Sequence, residues 1–261
     1  MSDGPRLVLQ ERDLRIIREL QYLRIVDREQ VKTVGGFGSP SRTNRRLHKL
    51  VEAGLLRRVF LGTTAGGAKA LYSLSEKGAR LAEVPHRGFR RTRDQALVAD
   101  FFVKHQLAVN DVYCALKYGT SPIASVTFKR WVAFQEPIRV GLPLIPDGYV
   151  EFQTPTETVA AFLEVDLGHE RLKVWKRKIE NYFALALSGS FATLFGSRRF
   201  RTLVIAQSVG RMQSIRKVAA PVTEKIFWFS NLTAIAREGI FGPIWLRPRE
   251  DEPQPLFRET P

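Results

Sequence analysis

TVAAFLEVDLG, residues 158–168, is an apolar run that ends in two acids one residue apart. In an extended chain successive side chains alternate, so Glu164 and Asp166 leave the same side of one strand. Like charges held side by side destabilise a sheet. At about 5 Å and an effective dielectric of about 20, two carboxylates repel by roughly 3 kcal/mol. A cation placed between them and a phosphate would relieve that repulsion and give the pair a purpose.

Working outward, IPDGYVEFQT (145–154) reads as a preceding strand, joined through PTE to the first. Asp147 then lies 17 residues before Glu164, room for a strand, a turn and a second strand. Asp147, Glu164 and Asp166 could meet at strand ends. Mg²⁺ or Mn²⁺ takes oxygen ligands of this kind, and can activate water and stabilise charge on a phosphodiester. Downstream, ERLKVWKRKIENYFALAL has helical periodicity, with Leu172, Trp175, Ile179 and Phe183 as the core face and Lys176 and Lys178 flanking it. Upstream, Leu97, Phe101, Ala108, Val112 and Leu116 mark a long amphipathic helix from about Asp94 to Tyr118. ASVTFKRWVAF follows it as a strand. Beyond the second helix come a strand (TLVIAQS), a helix (GRMQSIRKVAA), a strand (KIFWFS), a helical NLTAIAREG and an edge strand, GPIWLRP. Residues 249–261, REDEPQPLFRETP, are charged and Pro-rich and read as a flexible tail.

The order α-β-β-β-α-β over residues 94–248, with Pro146-Asp147 and Glu164-Val165-Asp166 in sequence, resembles the restriction-endonuclease-like PD-(D/E)XK fold. The resemblance implies that Asp147, Glu164 and Asp166 are catalytic carboxylates and metal ligands. One position departs from the motif: Asp166 stands where it has Lys. Lys178 is the first candidate to replace that lysine and Lys176 the second. Lys178-x-x-x-Tyr182 sits where the exonuclease branch carries Gln-x-x-x-Tyr. A degenerate, inactive nuclease domain would show the same departure. His105 is a candidate site residue or a structural one. Asn110 and Asp111 are read as capping or orienting neighbouring backbone, Glu136 as a solvated strand end rather than an extra acid near the site, and Trp175, Trp228 and Trp245 as core.

The first third has a different pattern. ERDLRIIRELQYLR (11–24) repeats apolar residues at helical spacing. Asp27 and Gln30 form a capping box for a second helix, with Val26 and Val31 as its staple. GGFGSP stops that helix. A third runs from about Ser41 to Gly54, and the strands LLRRVFLG and KALYSLS flank a Gly-rich turn. SEKGARLAE adds a helical turn or two. At about 100° per residue, Leu47, Leu50 and Val51 share one face of the third helix. Arg42, Arg45 and Lys49 lie opposite, with Arg46 beside them. Within a first domain read as residues 1–83, the stretch from about 11 to 83 resembles a winged helix-turn-helix DNA-binding domain, TNRRLHKLVEAGLLRR and LYSLSEKGARL being its most typical phrases. That resemblance implies a third helix in the major groove. Its arginines would read guanine edges or hold phosphate. Arg57, Arg58 and Lys69 would add charge from the wing. Residues 84–93, VPHRGFRRTR, read as a basic linker.

Charge agrees with this reading. The 261 residues carry a net charge of +15, and residues 1–93 hold 20 Lys and Arg against 9 Asp and Glu. A basic block within a folded domain points to a polyanion, nucleic acid above all. The single cysteine, Cys114, excludes a disulfide framework and thiolate zinc sites. The first residues have no signal-peptide layout. The longest charge-free stretch, NYFALALSGSFATLFGS, is too short and too polar to span a bilayer. A cytoplasmic protein without membrane contact is expected. The layout as a whole resembles the replication-relaxation family of plasmids and mobile elements, through Pro146-Asp147-Gly148, Glu164-Val165-Asp166 and Lys178 to Tyr182. The resemblance implies a role in plasmid replication or mobilisation, with DNA and proteins of those processes as partners. Two functions fit: a DNA-binding, Mg²⁺- or Mn²⁺-dependent endonuclease, or a non-catalytic regulator or relaxosome accessory factor. A homodimer would suit the second, since two winged helices could read a palindrome.

Overall fold

The computed structural model describes residues 7–62, 67–86, 96–139 and 141–258. The chain divides into two compact units between Cys114 and Ala115. The first contains α1 (Glu11–Leu23), β1 (Ile25–Asp27), α2 (Arg28–Gly35), α3 (Pro40–Glu52), β2 (Leu56–Gly62), β3 (Ala68–Leu74) and α4 (Glu76–Leu81). The three strands pair antiparallel in the order β1-β3-β2. The expected capping box is present: the Asp27 carboxylate accepts from Gln30 N at 2.9 Å, and Gln30 Oε1 accepts from Asp27 N at 3.2 Å. Ser39 caps α3, with Pro40 at its first position. Leu47 and Leu50 are fully buried, so α3 turns its apolar face inward as its periodicity requires. β1 was not expected. Its three residues read as a helix entry, and only pairing with Tyr72 and its neighbours on β3 makes them a strand.

A long helix, α5 (Ala96–Tyr118), follows. The sequence assigns it to the second domain, with a boundary near residue 94. The boundary instead falls after Cys114, and α5 up to that residue belongs to the first unit. Gln30 Nε2 donates to Leu107 O at 2.9 Å and to Asp111 Oδ1 at 2.6 Å. Asn110 Nδ2 donates to the carbonyls of Leu23 and Ile25, 87 and 85 residues away, so it ties α5 to distant backbone rather than to the neighbouring backbone expected. Val103 and Leu107 pack with Ile25, Leu61 and Leu71. Periodicity identifies an apolar face but not the surface that covers it. The expected linker lies largely outside the described residues.

The second unit contains β4 (Thr127–Val132), β5 (Gly148–Gln153), β6 (Thr158–Asp166), α6 (Leu172–Leu187), α7 (Ser190–Phe195), β7 (Arg201–Ala206), α8 (Val209–Ala219), β8 (Phe227–Asn231) and α9 (Leu232–Glu238). The sheet order is β4-β5-β6-β7-β8. The first three strands are antiparallel and the last three parallel. Through α9 the element order is the one read from the sequence, with α7 added, and the edge strand expected at GPIWLRP is not formed. Tyr149, Phe162, Trp175, Ile179, Tyr182 and Phe229 belong to one core. The inward face of α6 is rotated from the expected one: Leu172 is exposed and Phe183 half-buried, while Tyr182 and Leu185 are buried. Gly148 lies so close to Trp131 that an added Cβ would stand 2.2 Å from the indole.

The tail is a second correction. Gln254 exchanges backbone hydrogen bonds with Trp245 at 2.9 and 3.1 Å, and Leu256 and Phe257 are buried. Phe257 packs on Phe152 at a ring separation of 5.1 Å. Polar composition misleads here because two apolar residues, Leu256 and Phe257, anchor the segment. GPIWLRP forms no strand of its own among the described residues: it contributes isolated bridges, Leu246 to Phe229 at the β8 edge and Trp245 to Gln254. No described helix is long and apolar enough to cross a membrane.

Candidate functional site

β5 and β6 bring the PD and EVD residues together. The ladder pairs Gly148 with Leu163, and Asp147 N donates to Leu163 O at 3.0 Å. Asp147 Oδ2 in turn accepts from Val165 N at 2.7 Å, so its carboxylate is tied to backbone between the two acids of β6. Glu164 and Asp166 leave the same face of the strand, as alternation requires, and both meet α6.

Each acid has its own cation. Lys178 Nζ donates to Glu164 Oε2 at 2.9 Å, and the Tyr182 hydroxyl donates to Oε1 at 2.6 Å. Lys178 also meets Glu170 at 3.0 Å. Lys178 and Tyr182, about one turn apart on α6, thus deliver an ammonium and a phenol to one carboxylate. Asp166 accepts two hydrogen bonds from Arg211 on α8, both at 2.8 Å. Trp175 Nε1 donates to it at 2.5 Å and Gly168 N at 2.7 Å. Gly168 reaches that position with φ at +90°, a conformation that favours glycine. A bidentate arginine and two further donors satisfy Asp166 fully.

These surroundings set the two acids apart. Burial raises Glu164 to a pKa of about 7, and the charge of Asp147 adds to the rise, while Lys178 and Tyr182 oppose it. Burial also works on Asp166, but hydrogen bonds from Arg211, Trp175 and Gly168 outweigh it and hold the carboxyl below its ordinary value. Burial alone would depress Lys178, yet Glu164 and Glu170 outweigh it, so its ammonium stays charged. Burial and the neighbouring Glu164 carboxylate raise the Tyr182 phenol well above its usual value, so it remains a donor.

Of the residues expected in the site, Asp147, Glu164 and Lys178 come together. Lys176 is exposed and meets neither carboxylate among the described residues. Asp166 is on the right face but turned into Arg211. Among the described residues no three His, Cys, Asp or Glu side chains gather closely enough to hold a metal ion. Asp147 and Glu164 are the residues that could hold a divalent cation here, and both Glu164 oxygens already accept from Lys178 and Tyr182. His105 lies in the first unit beside Phe101, at a ring separation of 6.4 Å, and Glu136 is exposed. Sequence reasoning missed Arg211, Glu170 and a third buried acid, Glu151, which is bound by Arg130 at 2.6 Å and Tyr149 at 2.8 Å. Its signal was present in GYVEFQ, where Glu151 shares the inward register of Asp147 and Tyr149.

On α3, Arg42, Arg45 and Lys49 are exposed, and none pairs with an acid among the described residues. Arg57 and Arg58 are likewise exposed on β2. Two expected members of this surface are engaged elsewhere. Arg46 forms a two-pronged bond with the buried Asp13, its Nε at 2.7 Å, and also donates to Val8 O. Lys69 pairs with Asp27, the α2 cap, at 2.5 Å.

A family model described as replication-relaxation matches residues 15–196. The chain belongs to the replication-relaxation family. Membership suggests a role in replication or mobilisation. The span matched to the replication-relaxation family includes all of α3 and the Asp147, Glu164, Lys178 and Tyr182 cluster, and ends before Arg211. No curated protein and no solved structure matched the chain.

Proposed function

We propose that this replication-relaxation protein binds duplex DNA through α3 and the β2–β3 hairpin, and acts in plasmid or mobile-element replication or mobilisation. The observation that carries the reading is the row Arg42, Arg45 and Lys49, exposed and without acidic partners among the described residues. Cations left unpaired on one helix face cost little in water and gain counterion release on phosphate. Gel-shift titration of the Arg42/Arg45/Lys49 triple alanine variant tests it. Weak binding with a shallow salt slope is expected; unchanged affinity would rule out α3.

A second reading, metal-dependent phosphodiester hydrolysis, is favoured by Lys178, whose Nζ donates to Glu164 from α6 and would there stand in for the motif lysine. Asp147 and Glu164 would hold Mg²⁺ or Mn²⁺. The ion would supply charge stabilisation and a more acidic bound water. Lys178 would orient that water, and Tyr182 would fix the Glu164 carboxylate. Asp166 stays a structural anchor for Arg211. Supercoiled plasmid incubated with Mn²⁺, Mg²⁺ or EDTA, beside Glu164→Gln, separates the readings. Nicking that needs metal and vanishes in the variant makes the protein a nuclease. Intact plasmid from a protein that still shifts DNA leaves the non-catalytic DNA-binding role.

A further inference from the structure

The second unit carries a cavity of about 780 Å³, lined by the β5–β6 turn (residues 154–157), the tail (254–258) and Arg201, Trp228 and Arg247. It lies apart from the residues that bind Glu164 and Asp166. The guanidinium carbons of Arg201 and Arg247 stand 4.4 and 5.1 Å from the Trp228 ring centroid. Two cations thus share one indole. Arg201 donates to Leu256 O, a neutral carbonyl. Burial lowers its pKa to about 10, and Arg247 and Arg258 press in the same direction, with Glu157 opposing. Arg258 donates to Gln254 Oε1, another neutral acceptor. Arg247 meets Glu250 at 3.3 Å, a long bond for an ion pair.

Two residues of this lining carry a buried donor, Trp228 Nε1 and Arg247 Nε, with no hydrogen-bond partner among the described residues. Buried N–H groups are almost always satisfied, so two orphans beside clustered arginines call for an acceptor that carries negative charge. Three arginines outnumber the two acids of the lining, Glu157 and Glu250. A guanidinium fork matches the oxygens of a phosphate, and the volume is that of a small-ligand site.

We propose that this cavity binds a phosphate group, carried by a free nucleotide or by a nucleic-acid strand, through Arg201, Arg247, Arg258 and the Trp228 N–H. The β5–β6 turn that lines the pocket lies within the family match, whereas its three arginines and Trp228 all lie beyond residue 196.

Calorimetric titration of the full chain with inorganic phosphate, 5′-dTMP and a single-stranded oligonucleotide tests the proposal. The oligonucleotide arm uses the Arg42/Arg45/Lys49 alanine background, so that binding at α3 does not contribute. Wild type should bind at least one of the three. Arg247→Gln should weaken that binding by about 10-fold, the effect of losing a charge-assisted hydrogen bond. Trp228→Phe keeps the ring and removes only the N–H, and should weaken it by several-fold. Should Arg247→Gln melt early, the exposed Arg258→Gln carries the same test. Binding of dTMP without the oligonucleotide assigns a free nucleotide, and the reverse assigns a strand. No binding of any of the three, or equal affinity in every variant, overturns the proposal.

Discussion

Glu164 is pulled two ways. It is 2% exposed and faces the charge of Asp147, yet Lys178 and Tyr182 both donate to it. Its folded pKa of about 7 lies above its ordinary 4.5. Between those values the folded protein keeps a proton that the unfolded chain has released. Stability therefore falls as pH rises from about 4.5 to about 7, and is level above. Lys178, held above its ordinary value, adds no slope in that window. Glu164→Gln should remove a slope on the order of 2 to 3 kcal/mol, read by urea denaturation at pH 5, 6, 7 and 8. An identical pH profile for wild type and variant would show that Glu164 does not titrate there. Asp166 behaves in the opposite sense. Asp166→Ala leaves Arg211 and the Trp175 N–H without their shared acceptor, and should cost about 3 kcal/mol, measured in the same assay at pH 7.

At the scale of a helix, α3 puts neighbouring arginines to different uses. Arg45 points to solvent, whereas Arg46 spans to Asp13 on α1. Arg45→Ala should weaken DNA binding and reduce the salt slope by about one unit with little change in melting temperature. Arg46→Ala should do the reverse, destabilising the first unit by about 2 kcal/mol or more with a nearly unchanged salt slope. Thermal melts and salt-dependent binding on the two variants check the contrast. If both variants lose only affinity, Arg46 belongs to the DNA surface and the Asp13 pair is dispensable. α6 is similarly divided. Its Trp175, Ile179 and Tyr182 are buried, and Lys178 is placed one residue off that face with its charge between Glu164 and Glu170. Lys176, two residues earlier, lands in solvent.

At the scale of the whole molecule, the C-terminal segment is part of the second unit's core. Deleting residues 250–261 removes Leu256 and Phe257 from contact with the sheet and uncovers Phe152 and Phe241. It also takes the Leu256 carbonyl from Arg201. Burial of two large apolar side chains contributes about 3 to 6 kcal/mol, so the truncated chain should melt well below the full one in a calorimetric scan. An unchanged transition would return the segment to the status of a solvated tail.

Local chemistry was legible in the sequence wherever a short-range rule governs it. The Asp27 capping box, the apolar face of α3, the strand order around Asp147 and the shared face of Glu164 and Asp166 all follow from spacing alone. Lys178 was singled out through the resemblance to the nuclease motif, with Lys176 as the alternative, and its contact with Glu164 at 2.9 Å is a finding of the structure. Tertiary structure alone assigned the partners. It gave α5 to the first unit up to Cys114, Arg46 to Asp13, Lys69 to Asp27 and Arg211 to Asp166. The reason is physical: periodicity fixes which way a side chain points. What it meets depends on contacts between segments far apart in the chain, as Asp166 and Arg211 are, 45 residues apart.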